Sequence, residues 1–131
     1  MKQFNKWHIQ KEFIDNNKKA PRFHEREIWW ASIGLNIGDE EDGKNDQFER
    51  PVLVIKKFNS EIAWIIPMST KLKDNPYYFL TYDKDNNGFS LMLSQMRVIS
   101  TKRLTRFVRK LSTEKFKEVL FLISDILIKK Y

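Results

Sequence analysis

The chain has 131 residues, 14% of them aromatic and 41% apolar, which is one domain's worth of polymer with enough apolar material for a core. It contains no Cys, which excludes disulfide staples, thiolate–metal sites and cysteine nucleophiles and fits a reducing cytoplasm. Charge is segregated: residues 1–24 hold six Lys and Arg against two acids, residues 25–92 eight against twelve, and residues 93–131 ten against three. Basic ends and a pI near 9.6 point to a polyanion such as nucleic acid, because cation–phosphate contacts supply most non-specific affinity. A solvated basic surface is the alternative.

In chain order, Phe4, Trp7, Lys11 and Ile14 recur at near-helical spacing, and Asn16-Asn17 suit a helix end. A short amphipathic helix is expected over 3–16, then a linker over 17–24. Lys2, Lys6, Lys11, Glu12 and Asp15 interrupt any apolar stretch here, and no later run approaches the roughly 20 apolar residues of a membrane span. Neither export nor membrane insertion is expected. From Glu27 to Ile33 the Ile-Trp-Trp texture suits a first strand. Residues 34–49, with three of the four glycines and six acids, read as a long mobile loop.

Further strands are expected over Pro51–Phe58, Ile62–Met68, Tyr77–Tyr82 and Phe89–Ile99. Their continuous apolar runs imply central strands buried on both faces, and Asn59-Ser60 and Asp85–Gly88 are turn chemistry. The expected fold is mainly β, a compact antiparallel sheet or small barrel. Beyond Leu111, Ser112 and Thr113 are N-cap candidates, Glu114 suits the first turn, and Phe116, Val119, Leu120, Ile123, Ile126 and Leu127 follow at helical intervals. A C-terminal helix of about four turns is expected.

Chemistry-bearing residues are few. His8 and His24 both precede the expected sheet, which disfavours a histidine metal site or a Ser-His-Asp triad. Asp39, Glu40, Glu41 and Asp42 could offer oxygen ligands to a divalent cation, although adjacent loop acids usually point apart. Arg50 stands before Pro51, where the mobile loop joins a buried strand. A guanidinium there suits bidentate phosphate recognition, and pairing with a loop acid is the equal alternative. Ser69-Thr70 ends a strand beside Lys71 and Lys73, a phosphate-site arrangement that a plain turn also explains.

Three segments together resemble the PemK/MazF family of toxins from type II toxin–antitoxin modules. They are Gly38–Gly43 running to Arg50-Pro-Val-Leu-Val-Ile55, then Ile66-Pro-Met-Ser-Thr-Lys71, then Leu93-Ser-Gln-Met-Arg-Val-Ile-Ser-Thr-Lys-Arg-Leu104. The correspondence runs from about Glu27 to about Leu122. The resemblance implies a small SH3-like β-barrel with a C-terminal helix, here with an extra N-terminal helix. It divides the chain into an extension and linker over 1–24 and a toxin domain over 25–131.

It further implies a homodimeric, cytoplasmic endoribonuclease that cuts single-stranded RNA without metal or cofactor and is neutralised by a cognate antitoxin. By position, Arg50 matches the catalytic arginine, and Ser69 the usual catalytic threonine, with Thr70 beside it. Gln95 and Arg97 match the groove-lining element, and Lys44, Lys71 and Arg103 complete the expected RNA-contact set. The chain departs from the family in having Ser94 where many relatives have an acid, acids where some have a loop histidine, and residues 1–24 where the smallest members have nothing.

The implied chemistry is attack of a ribose 2′-OH on its own 3′ phosphate, giving a 2′,3′-cyclic phosphate and a 5′-OH. Arg50 would stabilise the phosphorane and a hydroxyl would hold a phosphate oxygen, while the general base has no candidate in the sequence. A competing function is binding without cleavage, to RNA, an antitoxin or, as in the related gyrase-poisoning toxins, a topoisomerase.

Overall fold

The computed structural model describes residues 1–129; the end of the expected domain at 131, and Lys130 of its basic segment, lie outside the described residues. Helix α1 (Phe4–Asn17) precedes seven strands and helix α2 (Thr113–Ile128) follows them. The strands are β1 (Glu27–Ser32), β2 (Glu49–Lys57), β3 (Ile62–Ser69), β4 (Tyr78–Tyr82), β5 (Gly88–Met92), β6 (Arg97–Ser100) and β7 (Leu104–Lys110).

The apolar run in β2 buries both faces of the sheet, as its composition requires. Val52 and Val54 join Trp29, Ala31 and Ile65 in one core cluster, while Leu53 and Ile55 join Ile66, Met68 and Leu91 in another. Period-2 alternation sends successive residues to opposite sides, so an unbroken Val-Leu-Val-Ile is stable only with cover on each. Helix α2 covers the second cluster through Phe116 and Val119, and its start is capped by Ser112 Oγ, which accepts from the Lys115 amide at 3.2 Å. Farther along α2, Phe121, Leu127 and Ile128 are more than 70% exposed.

Pairing is antiparallel throughout in the order β4-β5-β3-β2-β1-β7, with β6 added on β3. The expected mainly β class holds, but the hydrogen-bonded path ends at β4 and β7 and does not close into a barrel. The strand expected over Phe89–Ile99 is two, separated by a 3₁₀ turn at Leu93–Gln95. Both lie on one edge of β3, β6 against Ile62–Ile65 and β5 against Met68–Ser69. The edge changes partner across Ile66-Pro67, where proline has no N–H to give.

Strand β7 lies where the sequence carries no strand signal. Its Arg- and Lys-rich sequence buries only Leu104, because it is an exposed terminal strand paired to β1 through two register shifts. The expected turns at Asn59-Ser60 and Asp85–Gly88 are present: Asn59 Oδ1 accepts from the Glu61 and Ile62 amides, and Asn86 adopts φ +65°.

The N-terminal segment is not loosely tethered. Phe23, in the expected linker, is fully buried, with Lys57 Nζ 4.5 Å from its ring centroid and 2.9 Å from its carbonyl oxygen. In α1, Trp7 and Ile14 are buried, and Trp7 meets Phe48 edge-to-face at 5.6 Å. Its indole lies so close to Gly34 that a Cβ there would sit 2.1 Å away, and Gly34 has φ +81°, so both space and backbone demand glycine. Among the described residues, no helix is long and apolar enough to cross a membrane.

Candidate active site

Arg50 enters β2 from the acidic loop and is 6% exposed. Its Nε donates to the Asp42 carbonyl at 2.7 Å, Nη1 to the Met68 carbonyl at 3.2 Å, and Nη2 lies 2.7 Å from Glu41 Oε1. Of the two pairings left open by the sequence, the structure displays the one with a loop acid. All three nitrogens touch oxygens of the same chain, and they tie the loop, β2 and the end of β3 together.

The loop is closed rather than open. The Gly43 amide donates to the Gly34 carbonyl at 2.7 Å, and Asp42 Oδ1 accepts from the Asn36 amide at 2.6 Å. Gln95 grips it from the other side, with Oε1 accepting from the Glu41 amide at 3.2 Å and Nε2 donating to the Asp39 carbonyl at 3.1 Å. The acids point apart, Glu40 to the Ile37 amide, Glu41 to Arg50 and Asp42 to Lys2. Among the described residues no group of three or more His, Asp or Glu is arranged to hold a metal ion.

Two clefts flank this arrangement. One, of about 150 Å³, is lined by Glu41, Lys44, Arg50, Ser69, Lys71 and Lys73 among others. The other, of about 490 Å³, includes Asn36, Glu41, Pro67, Gln95 and Arg97 in its wall. Glu41 lines both and separates them. Of the expected site residues, the structure therefore gathers Lys44, Arg50, Ser69 and Lys71 in the first cleft and Gln95 and Arg97 in the second.

Ser69 is half-buried at the end of β3, where pairing with Ser90 fixes the backbone. Its Oγ accepts from the Lys71 amide at 3.1 Å, which leaves the O–H to donate. Thr70 is exposed and lines neither of these clefts. Arg103 is also not brought to either: its Nη1 donates to the Ser32 and Ile33 carbonyls, and its guanidinium lies 5.7 Å from the Trp7 ring. Burial, and then the nearby Arg97, pushes its pKa down to about 10. The two histidines are remote, His8 pairing with Glu12 at 2.7 Å and His24 with Glu27 at 3.2 Å.

Sequence reasoning missed Glu49. It is 2% exposed and accepts from Asn45 Nδ2, Thr105 Oγ1 and Arg106 Nη1, fixing the loop's exit against β7. An acid directly before Arg-Pro at a strand start was the available signal, but its partners lie some fifty-six positions away.

The fold is shared with solved toxin structures. MazF from Deinococcus radiodurans aligns with a TM-score of 0.66 at 15% identity, covering 83% of this chain and 97% of that one. An endoribonuclease from a mycobacterial species, solved with its cognate antitoxin, aligns at 0.64 with 7% identity over 84% of this chain and 99% of that one. A Mycobacterium tuberculosis MazF toxin aligns at 0.60 with 14% identity, covering 81% and 100%. No curated protein sequence matches the chain significantly. At these identities the likeness is one of fold, and the sequence supplies the rest: residues 24–127 match the family model, so the chain belongs to the PemK-like, MazF-like toxins of type II toxin–antitoxin systems.

Proposed function

We propose that this toxin is an endoribonuclease that cleaves single-stranded RNA without metal or cofactor, acting in the cytoplasm as a homodimer and restrained by a cognate antitoxin. The observation that carries the reading is the cleft that sets the buried Arg50 beside the Ser69 hydroxyl and three lysines. In the reaction the ribose O2′–P bond forms, the P–O5′ bond breaks, the 2′-OH loses its proton and O5′ gains one. Arg50 stabilises charge on the phosphorane oxygens, and Ser69 donates to one of them. Phosphate arriving at Arg50 replaces Glu41 on the guanidinium.

Gln95 and Arg97, in the adjoining cleft, contact the flanking strand. The antitoxin reading is supported by the mycobacterial neighbour, which was solved with its own. The dimer reading is supported by the exposed Phe121, Leu127 and Ile128 of α2, an apolar surface suited to a two-fold contact. A second reading, binding without cleavage, is favoured by the ion pair that occupies Arg50.

The test is incubation of purified protein with mixed RNA in EDTA, followed by mapping of fragment ends. Fragments with 5′-OH and 2′,3′-cyclic phosphate ends, absent with Arg50→Ala, are expected. Intact RNA despite measurable binding would replace the nuclease by the binding protein.

A further inference from the structure

We propose that α1 and the residues leading into it form an intramolecular latch: Lys2 and Trp7 hold the acidic loop in the position that places Glu41 on Arg50, and their release admits RNA. The proposal rests on the assignment of the Arg50 cleft as the RNA site. The helix lies outside the residues that match the family, which begin at 24. It is nevertheless seated on the two ends of the loop, with Trp7 packed against Gly34 at the entry and Phe48 at the exit. At its far end Lys102 Nζ donates to the Asp15 carbonyl at 3.0 Å, which fixes the helix to the domain.

The polar contact with the middle of the loop is made by the ammonium of Lys2, just before the helix. Lys2 Nζ donates to the Asn36 carbonyl at 2.6 Å and the Gly38 carbonyl at 3.1 Å, and pairs with Asp42 Oδ2 at 3.0 Å. An ammonium has three protons, and three loop oxygens meet it. Asp42 is also the residue whose carbonyl receives Arg50 Nε, and its neighbour Glu41 holds Nη2. Lys2 thus acts on the arginine through the loop backbone.

Glu41 is the physical obstacle. Its carboxylate meets the guanidinium as a phosphate oxygen would, and its side chain divides the two clefts. With the loop displaced, the clefts become one groove running from Arg97 to Lys73. A closed state favoured by the latch raises the apparent dissociation constant for RNA by the reciprocal of the open fraction. Saturating RNA holds the loop open, so the latch acts on KM and leaves kcat alone.

The test compares the full chain with Lys2→Met, Lys2→Arg and Trp7→Ala, using amide hydrogen exchange, cleavage kinetics and affinity for a 2′-deoxy oligonucleotide that cannot be cleaved. For Lys2→Met, exchange at the Asn36 and Glu41 amides should rise about three- to tenfold, the scale of a partly exposed charged contact. KM and the oligonucleotide dissociation constant should fall by a similar factor with kcat unchanged. Lys2→Arg should stay near the parent, and Trp7→Ala should open the loop at least as far as Lys2→Met.

Unchanged loop exchange in both Lys2→Met and Trp7→Ala overturns the latch. Faster exchange with unchanged or weaker oligonucleotide binding overturns it as well, since the helix would then support the site rather than cover it. Absence of cleavage in every variant overturns the nuclease assignment alone, and exchange and oligonucleotide affinity still decide the latch.

Discussion

Replacing Arg50 by alanine removes the proposed phosphorane-stabilising group and a structural tie in one step, and each loss has an expected magnitude. The side chain is 7% exposed and its Glu41 partner 26%, so the pair is more protected than a surface bridge and less than a fully buried one. Breaking a fully buried pair costs about 3–5 kcal/mol and a surface pair at most about 1, which places this one near 2 kcal/mol. For a chain of this length that corresponds to a melting temperature lowered by about 6–10 °C. Loss of one charge-stabilising donor at the transition state lowers the cleavage rate by about 10²–10³. The assay is RNA cleavage in EDTA, run well below the melting temperature of the variant and with circular dichroism confirming the fold. Arg50→Lys separates the two roles: an ammonium can still pair with Glu41 and restore stability, but it lacks the planar fork and should recover little activity. A folded Arg50→Ala protein that cleaves within tenfold of the parent would refute the assignment.

Ser69→Thr should retain cleavage and Ser69→Ala should lose most of it, with Thr70→Ala near the parent because Thr70 lines neither cleft; the reverse ranking moves the hydroxyl role to Thr70. RNA affinity of an Arg50→Ala protein should fall with salt at a log–log slope of roughly −2 to −3, since about 0.7 is contributed per phosphate neutralised and Lys44, Lys71, Lys73 and Arg97 line the clefts. Lys71→Ala with Lys73→Ala should flatten that slope by about 1.4, and Arg103→Ala should leave it unchanged; a slope insensitive to the lysines would place the RNA elsewhere. Sedimentation should show a dimer at micromolar concentration that Phe121→Glu dissociates, whereas a monomeric parent would remove the proposed role of the α2 face. At Glu27, burial raises the carboxyl pKa, but hydrogen bonds from Trp29 Nε1 and the His24 amide and ring outweigh it and hold the carboxyl below its ordinary value. Its contribution to stability is complete above about pH 4.5 and disappears as pH falls through the lower folded-state value, so acid unfolding of Glu27→Gln should be flatter there; identical acid profiles would refute it.

The elements legible in the sequence were those whose signals are local. The unbroken Val-Leu-Val-Ile of β2 announces cover on both faces, Ser112 announces the start of α2, and Asn59-Ser60 announces a hairpin. Strand β7 was illegible because its identity depends on β1, some eighty positions earlier, and its own cations mask the strand. The division of β5 from β6 depends on both sharing one edge of β3, which no periodicity records. Arg50 could be singled out from its place before Pro51. The acid that holds it could not, since six acids share the segment and loop closure chooses among them. Lys2 gave no signal, because its three acceptors are assembled by the seating of Trp7 more than by any sequence pattern.

The buried carboxylate of Glu49 orders the steps by which the protein assembles. Residues 58–61 join β2 to β3, so that hairpin can form as soon as both strands exist, whereas Glu27 meets Lys110 only after most of the chain has been made. The longer closure costs about 2.5 kcal/mol more in chain entropy, so β1 and β7 should pair late. Until they do, Glu49 has neither Thr105 nor Arg106, and a carboxylate left with Asn45 alone stays hydrated rather than enter the interior. Its neighbour Arg50 keeps its acceptors at Glu41, Asp42 and Met68, but the loop's exit beside it then lacks its anchor on β7. A nascent or truncated chain ending before β7 would carry the arginine and the Ser69 hydroxyl with the loop's exit unanchored, and protease accessibility of such chains at residues 44–50 would reveal it. On the proposed nuclease reading, the loop that borders Arg50 would thus take its final position only once synthesis is nearly complete.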